Sequence, residues 1–167
     1  MIRSDVSTTA SATHTGGVET IAQSLSISNG LGFDPEGHRL YHADTLRNRV
    51  IVYDYTTPMP VPVGAFDVQP GYPDGLTIDA EGYLWVAVWG ESEVRRYSPD
   101  GTLEARLPIP GPLVTAPAFV GPGLDHLVMT TATGDLDEPP LTGGGLYRAD
   151  VGVRGGSTFR WAGSTNY

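Results

Sequence analysis

The sequence contains no cysteine and no lysine. Without cysteine there is neither a disulfide framework nor a thiolate metal site. All positive charge beyond the chain terminus comes from arginine, and the missing lysine reads as codon bias. Basic residues are scarce: the formal net charge is −9. The carboxylates are scattered rather than blocked, and no basic face is available for a phosphate backbone, so nucleic-acid binding is disfavoured. No apolar run reaches the length of a membrane span. No window of ten or more residues holds a helical apolar period without a Gly or Pro interrupting it. The zinc spacing of histidines, the Gly-x-Ser-x-Gly elbow and the phosphate-binding glycine loop are all missing. The first residues lack an apolar signal core, so a cytoplasmic protein is the default expectation.

What remains is a glycine- and proline-rich chain of 167 residues with 40% apolar content. That suits many short strands joined by tight turns. Its most ordered stretch runs from Pro73 to Trp89 and has an upstream echo. Asn29 matches Asp74, Gly30 matches Gly75, Leu31 matches Leu76, Asp34 matches Asp79, and Glu36-Gly37 matches Glu81-Gly82. The offset of about 45 residues is the length of a propeller blade.

Two four-stranded units follow from this period. The first takes Leu31 to Phe33, Arg39 to Ala43, Arg49 to Tyr55 and Val61 to Val68, the last demoted to an edge by its prolines. The second takes Leu76 to Ile78, Leu84 to Val88, Glu93 to Tyr97 and Leu103 to Leu107. A third unit is less regular: Ala118 to Val120, His126 to Thr131, Gly145 to Arg148 and a last strand from Thr158 to Ala162. An orphan outer strand is predicted from Val18 to Ser24. The expected fold is all-β, a β-propeller of the six-bladed type with about three blades present. Residues 1–15 read as a flexible arm and 16–167 as the partial propeller.

Ser28-Asn29-Gly30-Leu31, Pro73-Asp74-Gly75-Leu76, the run Leu84 to Gly90 and the run Val94 to Gly101 resemble the SMP-30/gluconolactonase/LRE family. Gly152 to Gly155 and Trp161 to Gly163 fit its C-terminal region, so the resemblance covers about residues 16 to 163 and only the later half of the family's ring. It implies a six-bladed propeller that opens sugar lactones with one divalent metal ion in its channel. The family's Asn and Asp ligands fall on Asn29 and Asp74, and Asp74 is also the implied general base. The stretch carrying the family's Glu ligand has no counterpart here. Calcium is the first expectation for the ion, with Zn²⁺, Mn²⁺ or Mg²⁺ as alternatives.

The residues themselves permit this chemistry. An amide oxygen and a carboxylate are hard ligands for such cations. Yet Asn-Gly and Asp-Gly are also common turn formers. Propeller connectivity puts the loops Asp44 to Asn48, Trp89 to Ser92 and Ala132 to Gly144 on the same rim as Asn29 and Asp74. Arg47 and Trp89 are therefore candidate sugar contacts, although taken singly they are ordinary surface and packing residues. Thr115 holds the position in the third unit that matches Asn29 and Asp74, and borders the same pocket. The implied partner is a small-molecule sugar lactone, with no nucleic acid and no membrane. A homodimer, or a partner chain supplying the missing blades, would complete the ring. Two other readings stay open: an inactive truncated half-propeller and a protein-binding scaffold.

Overall fold

The computed structural model describes residues 19–134 and 141–157. Its strands are β1 (Ser28–Phe33), β2 (Arg39–Asp44), β3 (Arg49–Asp54), β4 (Val61–Asp67), β5 (Tyr72–Ile78) and β6 (Leu84–Trp89). They continue with β7 (Glu93–Tyr97), β8 (Leu103–Pro108), β9 (Leu113–Val120), β10 (His126–Ala132) and β11 (Leu146–Ala149). A single 3₁₀ turn, Thr45–Arg47, follows β2. Among the described residues no helix is long and apolar enough to cross a membrane.

Neighbouring strands within each unit pair antiparallel. The first unit is the four-stranded sheet β1-β2-β3-β4. The second is β5 to β8, and the third shows β9, β10 and β11. Trp89 at the end of β6 pairs with Leu113 at the start of β9, which joins the second and third units into one sheet. The all-β architecture and the order of the blades are those expected from the period. The fourth strand expected at Thr158 to Ala162 lies outside the described residues.

The repeated Asp-x-x-Gly turn explains why the echo exists. In the first unit, the Asp34 carboxylate accepts from the backbone N–H groups of His38 and Arg39 at 2.7 and 3.0 Å. In the second, Asp79 accepts from Glu81 and Tyr83 at 3.0 and 2.9 Å. Each turn closes on a glycine at positive φ, Gly37 at 72° and Gly82 at 86°, a conformation that costs glycine no Cβ clash.

The core lies between the units. Along β6 the side chains alternate: Leu84, Val86 and Val88 pack toward the first unit with Tyr41, Val50 and Val52. Trp85 and Ala87 pack toward the third with Val114, Leu127 and Met129. A strand buried on both faces reads as a continuous apolar run rather than an alternating one, which is the Leu-Trp-Val-Ala-Val-Trp of the sequence.

Two expectations are corrected. Among residues 19–24 there is no strand. Ser24 sits at φ 60°, which breaks an extended path, and Ile21, Ala22 and Leu25 instead pack over Leu40, Ile51 and Tyr53 on the far face of the first unit. The inner strands also begin earlier than expected, at Ser28, Tyr72 and Leu113. The Asn-Gly and Asp-Gly pairs are therefore inside strands and not turns that lead into them.

Candidate functional site

All three inner strands carry a register irregularity at the same place. In β1 it falls between Ser28 and Leu31, around Asn29-Gly30. In β5 it falls between Pro73 and Leu76, around Asp74-Gly75. In the third unit it falls between Thr130 and Thr131 of β10, opposite Thr115. A bulge re-aims a side chain that the pleat would otherwise fix. Here it does so for the three residues that the repeat aligns.

The glycines after the first two have a separate reason. A Cβ on Gly30 would stand 2.4 Å from the Asp74 carbonyl oxygen and 2.6 Å from the Leu76 nitrogen. One on Gly75 would stand 2.6 Å from the Thr115 carbonyl oxygen. Successive inner strands thus cross backbone to backbone at these points, and that contact brings Asn29 beside Asp74.

Asn29 and Asp74 are both half-buried. Burial pushes the Asp74 carboxyl above its ordinary value, while hydrogen bonds from the Asn29 side chain and the Gly75 backbone partly offset it. Among the described residues no arginine is paired with Asp74. A desolvated carboxylate with no cation of its own, beside an amide, fits a hard divalent ion. The donor set is small: among the described residues no group of three or more His, Asp or Glu could hold a metal.

The other candidates are placed as follows. Arg47, half-exposed, pairs with Asp44 at 3.2 Å in the 3₁₀ turn. Trp89 is half-buried at the end of β6, opposite Tyr72 and Leu113. The Thr115 hydroxyl shares a hydrogen bond of 2.5 Å with that of Thr130. None of these three is joined to Asn29 or Asp74 by a hydrogen bond or ion pair.

Several neighbours escaped the sequence reading. Asp44 is fully buried at the end of β2. Its carboxylate accepts from the Ser26 backbone at 2.8 Å, from the Ser26 hydroxyl, and from Arg49 at 3.0 Å. Thr45 accepts a hydrogen bond from Asn29 Nδ2 at 3.3 Å. The Ser28 hydroxyl lies 2.8 Å from His42 Nε2, and burial lowers the His42 pKa against the opposing pull of Asp44. The second unit has Val88-Trp89 where the first has Asp44-Thr45, so the repeat gave no signal for this cluster.

Asp44 makes an acid-stability prediction. Burial alone would raise its pKa, but the hydrogen bonds from Ser26, Arg49 and Arg47 win and hold it well below the usual carboxylate range. A depressed folded pKa gives stability that is complete above the unfolded value of about 3.9 and lost as pH falls below it. Asp44→Asn is expected to melt lower at pH 7 and to show a shallower decline between about pH 4 and pH 2. Melting curves across that range check it; parallel declines would contradict it.

Comparison with known proteins adds a separate line. Residues 5–133 match the family described as SMP-30/Gluconolactonase/LRE-like region. The chain belongs to this family. Pentonolactonase XacC of Haloferax volcanii is 36% identical over 162 residues, covering 87% of this chain and 54% of the relative. L-arabinolactonase of Azospirillum brasilense is 33% identical over 147 residues, covering 83% and 48%. The crystal structure of a calcium-binding protein, regucalcin, from Agrobacterium tumefaciens aligns with a TM-score of 0.74 at 34% identity, covering 86% of this chain and 52% of that one. The chain spans about half the length of the curated family members it matches.

Proposed function

We propose that this chain carries the Asn–Asp part of a metal-dependent site that opens sugar lactones by hydrolysis. The observation that carries the reading is the contact of Asn29 with Asp74, two hard-oxygen side chains set in matching bulges of adjacent inner strands. The lactonase names among its relatives supply the substrate class.

Asn29 and Asp74 would hold a divalent cation, calcium first and Mn²⁺, Mg²⁺ or Zn²⁺ as alternatives. When bound, such an ion polarises an ester carbonyl and acidifies water. Asp74 is the general base: its carboxylate, desolvated and raised in pKa, accepts the proton of the attacking water. The Thr115 hydroxyl and the Arg47 guanidinium serve as hydrogen-bonding groups for sugar hydroxyls, and the Trp89 ring as an apolar wall. Two protein oxygens leave most of a hard cation's six or more positions to water, substrate or groups from a second polypeptide.

Calorimetry with Ca²⁺ and Mn²⁺, paired with pH-stat assays over a panel of aldonolactones, tests this. Asp74→Ala and Asn29→Ala are each expected to weaken ion binding by about tenfold or more, since even partners outside the ligand shell cost 10- to 100-fold. Hydrolysis is expected to stop on adding chelator. Unchanged affinity in both variants, or turnover that survives chelation, would overturn the assignment.

A further inference from the structure

The Asn29 side chain has two hydrogens on Nδ2 and one carbonyl oxygen, and only the oxygen can face a cation. Which way the amide points is therefore decisive for any ion at this site. One restraint is the hydrogen bond to Asp74. That restraint weakens when a cation draws on the same carboxylate. The other is the bond from Nδ2 to Thr45 Oγ1 at 3.3 Å, which does not depend on the carboxylate.

Thr45 is well placed for such a task. It is buried, 8% exposed, in the 3₁₀ turn that packs against β5. Its backbone N–H donates to the Ile27 carbonyl at 3.1 Å, and its own carbonyl accepts from Asn48 at 2.9 Å. The residue before it, Asp44, is tied to Ser26, Arg47 and Arg49. Leu46 after it donates its backbone N–H to the Ser26 hydroxyl at 3.1 Å. The backbone that carries the threonine hydroxyl is thus fixed from both sides, while the bulge leaves Asn29 without a regular ladder partner.

We propose that Thr45 is a positioning residue that holds the Asn29 amide nitrogen and so presents the Asn29 oxygen to a divalent cation. The proposal rests on the metal-site reading above. It assigns Thr45 no contact with the ion or the substrate.

The test uses the full chain and Mn²⁺, followed by calorimetry or by water-proton relaxation. Thr45→Val keeps the shape and removes the acceptor; Thr45→Ser keeps the acceptor. Valine is expected to lower Mn²⁺ affinity about tenfold, the low end of the cost of losing a partner outside the ligand shell. Serine is expected to bind within about twofold of the parent, as its hydroxyl accepts equally well. In an Asn29→Ala background the valine change is expected to add nothing, because its effect passes through Asn29. Equal affinity in the valine variant, failure of serine to restore binding, or a loss that persists without Asn29 would each overturn the proposal. If the parent chain binds no Mn²⁺, the metal reading fails, and the metal-free chain still decides the contact. The Asn29 side-chain amide signals in a ¹⁵N spectrum are expected to move in the valine variant and stay in the serine variant. Signals that stay put with valine would overturn it.

Discussion

Replacing Asp79 by alanine is expected to remove a large part of the stability of this chain. The carboxylate is fully buried and gathers polar groups from the turn, β6 and β7 of the second unit. One oxygen accepts from the backbone N–H groups of Glu81 and Tyr83. The other accepts from Trp85 Nε1 at 2.9 Å and from Arg96 Nε and Nη2 at 2.9 and 2.7 Å. Arg96 in turn lies over the Tyr83 ring, 3.9 Å from its centroid. Alanine removes the shared acceptor of all of these donors at once and leaves Arg96 with only Glu81 as an ion-pair partner. Breaking a buried ion pair from one side costs about 3–5 kcal/mol, against a total of about 5–15 kcal/mol for a domain. The repeat provides a control. Asp34 holds the matching turn, but its hydrogen bonds are exposed, and Asp34→Ala is expected to cost about 1 kcal/mol. Urea denaturation of both variants measures the contrast. Equal midpoints would show that Asp79 is only a turn residue like its counterpart.

The second large effect is expected from Gly30→Ala. The added Cβ would meet only backbone: 2.4 Å to the Asp74 oxygen, 2.6 Å to the Leu76 nitrogen and 2.8 Å to the Gly75 carbon. No flexible side chain can yield there, so two inner strands must separate. Overpacking of this kind costs about 1–3 kcal/mol, and the same shift draws Asp74 away from Asn29. Stability and Mn²⁺ affinity are therefore expected to fall together. Gly64→Ala is the control, because a Cβ there meets nothing within 4 Å, and it is expected to stay within about 0.5 kcal/mol of the parent. Denaturation of the two variants, with Mn²⁺ titration of each, checks both claims. A Gly30→Ala chain as stable as the parent would mean that the inner strands have slack.

Local chemistry made the blades legible. The Asp34 and Asp79 turns each close a backbone bond from the glycine three residues on, and each carboxylate accepts nearby backbone N–H groups, so the repeat was written in short-range terms that a sequence shows directly. The doubly buried β6 announced itself as an unbroken apolar run. Asn29-Gly30 and Asp74-Gly75 were visible as aligned pairs, but the reason for the glycine was not. It lies in the backbone of the next unit, about 45 residues downstream, a blade's length away. The path of residues 19–25 was misread because Ile21 and Ala22 suit a strand, while the face they cover is fixed only by the folded sheet. The cluster around Asp44 joins Ser26, Arg47 and Arg49 through contacts confined to the first unit. With no counterpart in the second, nothing marked it in advance.

The inner glycines act as a gauge for the step from one unit to the next. Gly30 and Gly75 let two steps be taken at backbone contact. The third unit has Ala116 at that position, and its methyl group is exposed. A neighbour set against it by the same step would run into the methyl as Gly30→Ala runs into Asp74. A unit placed there would need a joint that is wider, or shifted along the strand. A ring closed through such a joint would depart from true six-fold symmetry about its axis. If two copies of the chain closed such a circle, the wide joints would stand diametrically opposite, and the channel would be oval rather than round.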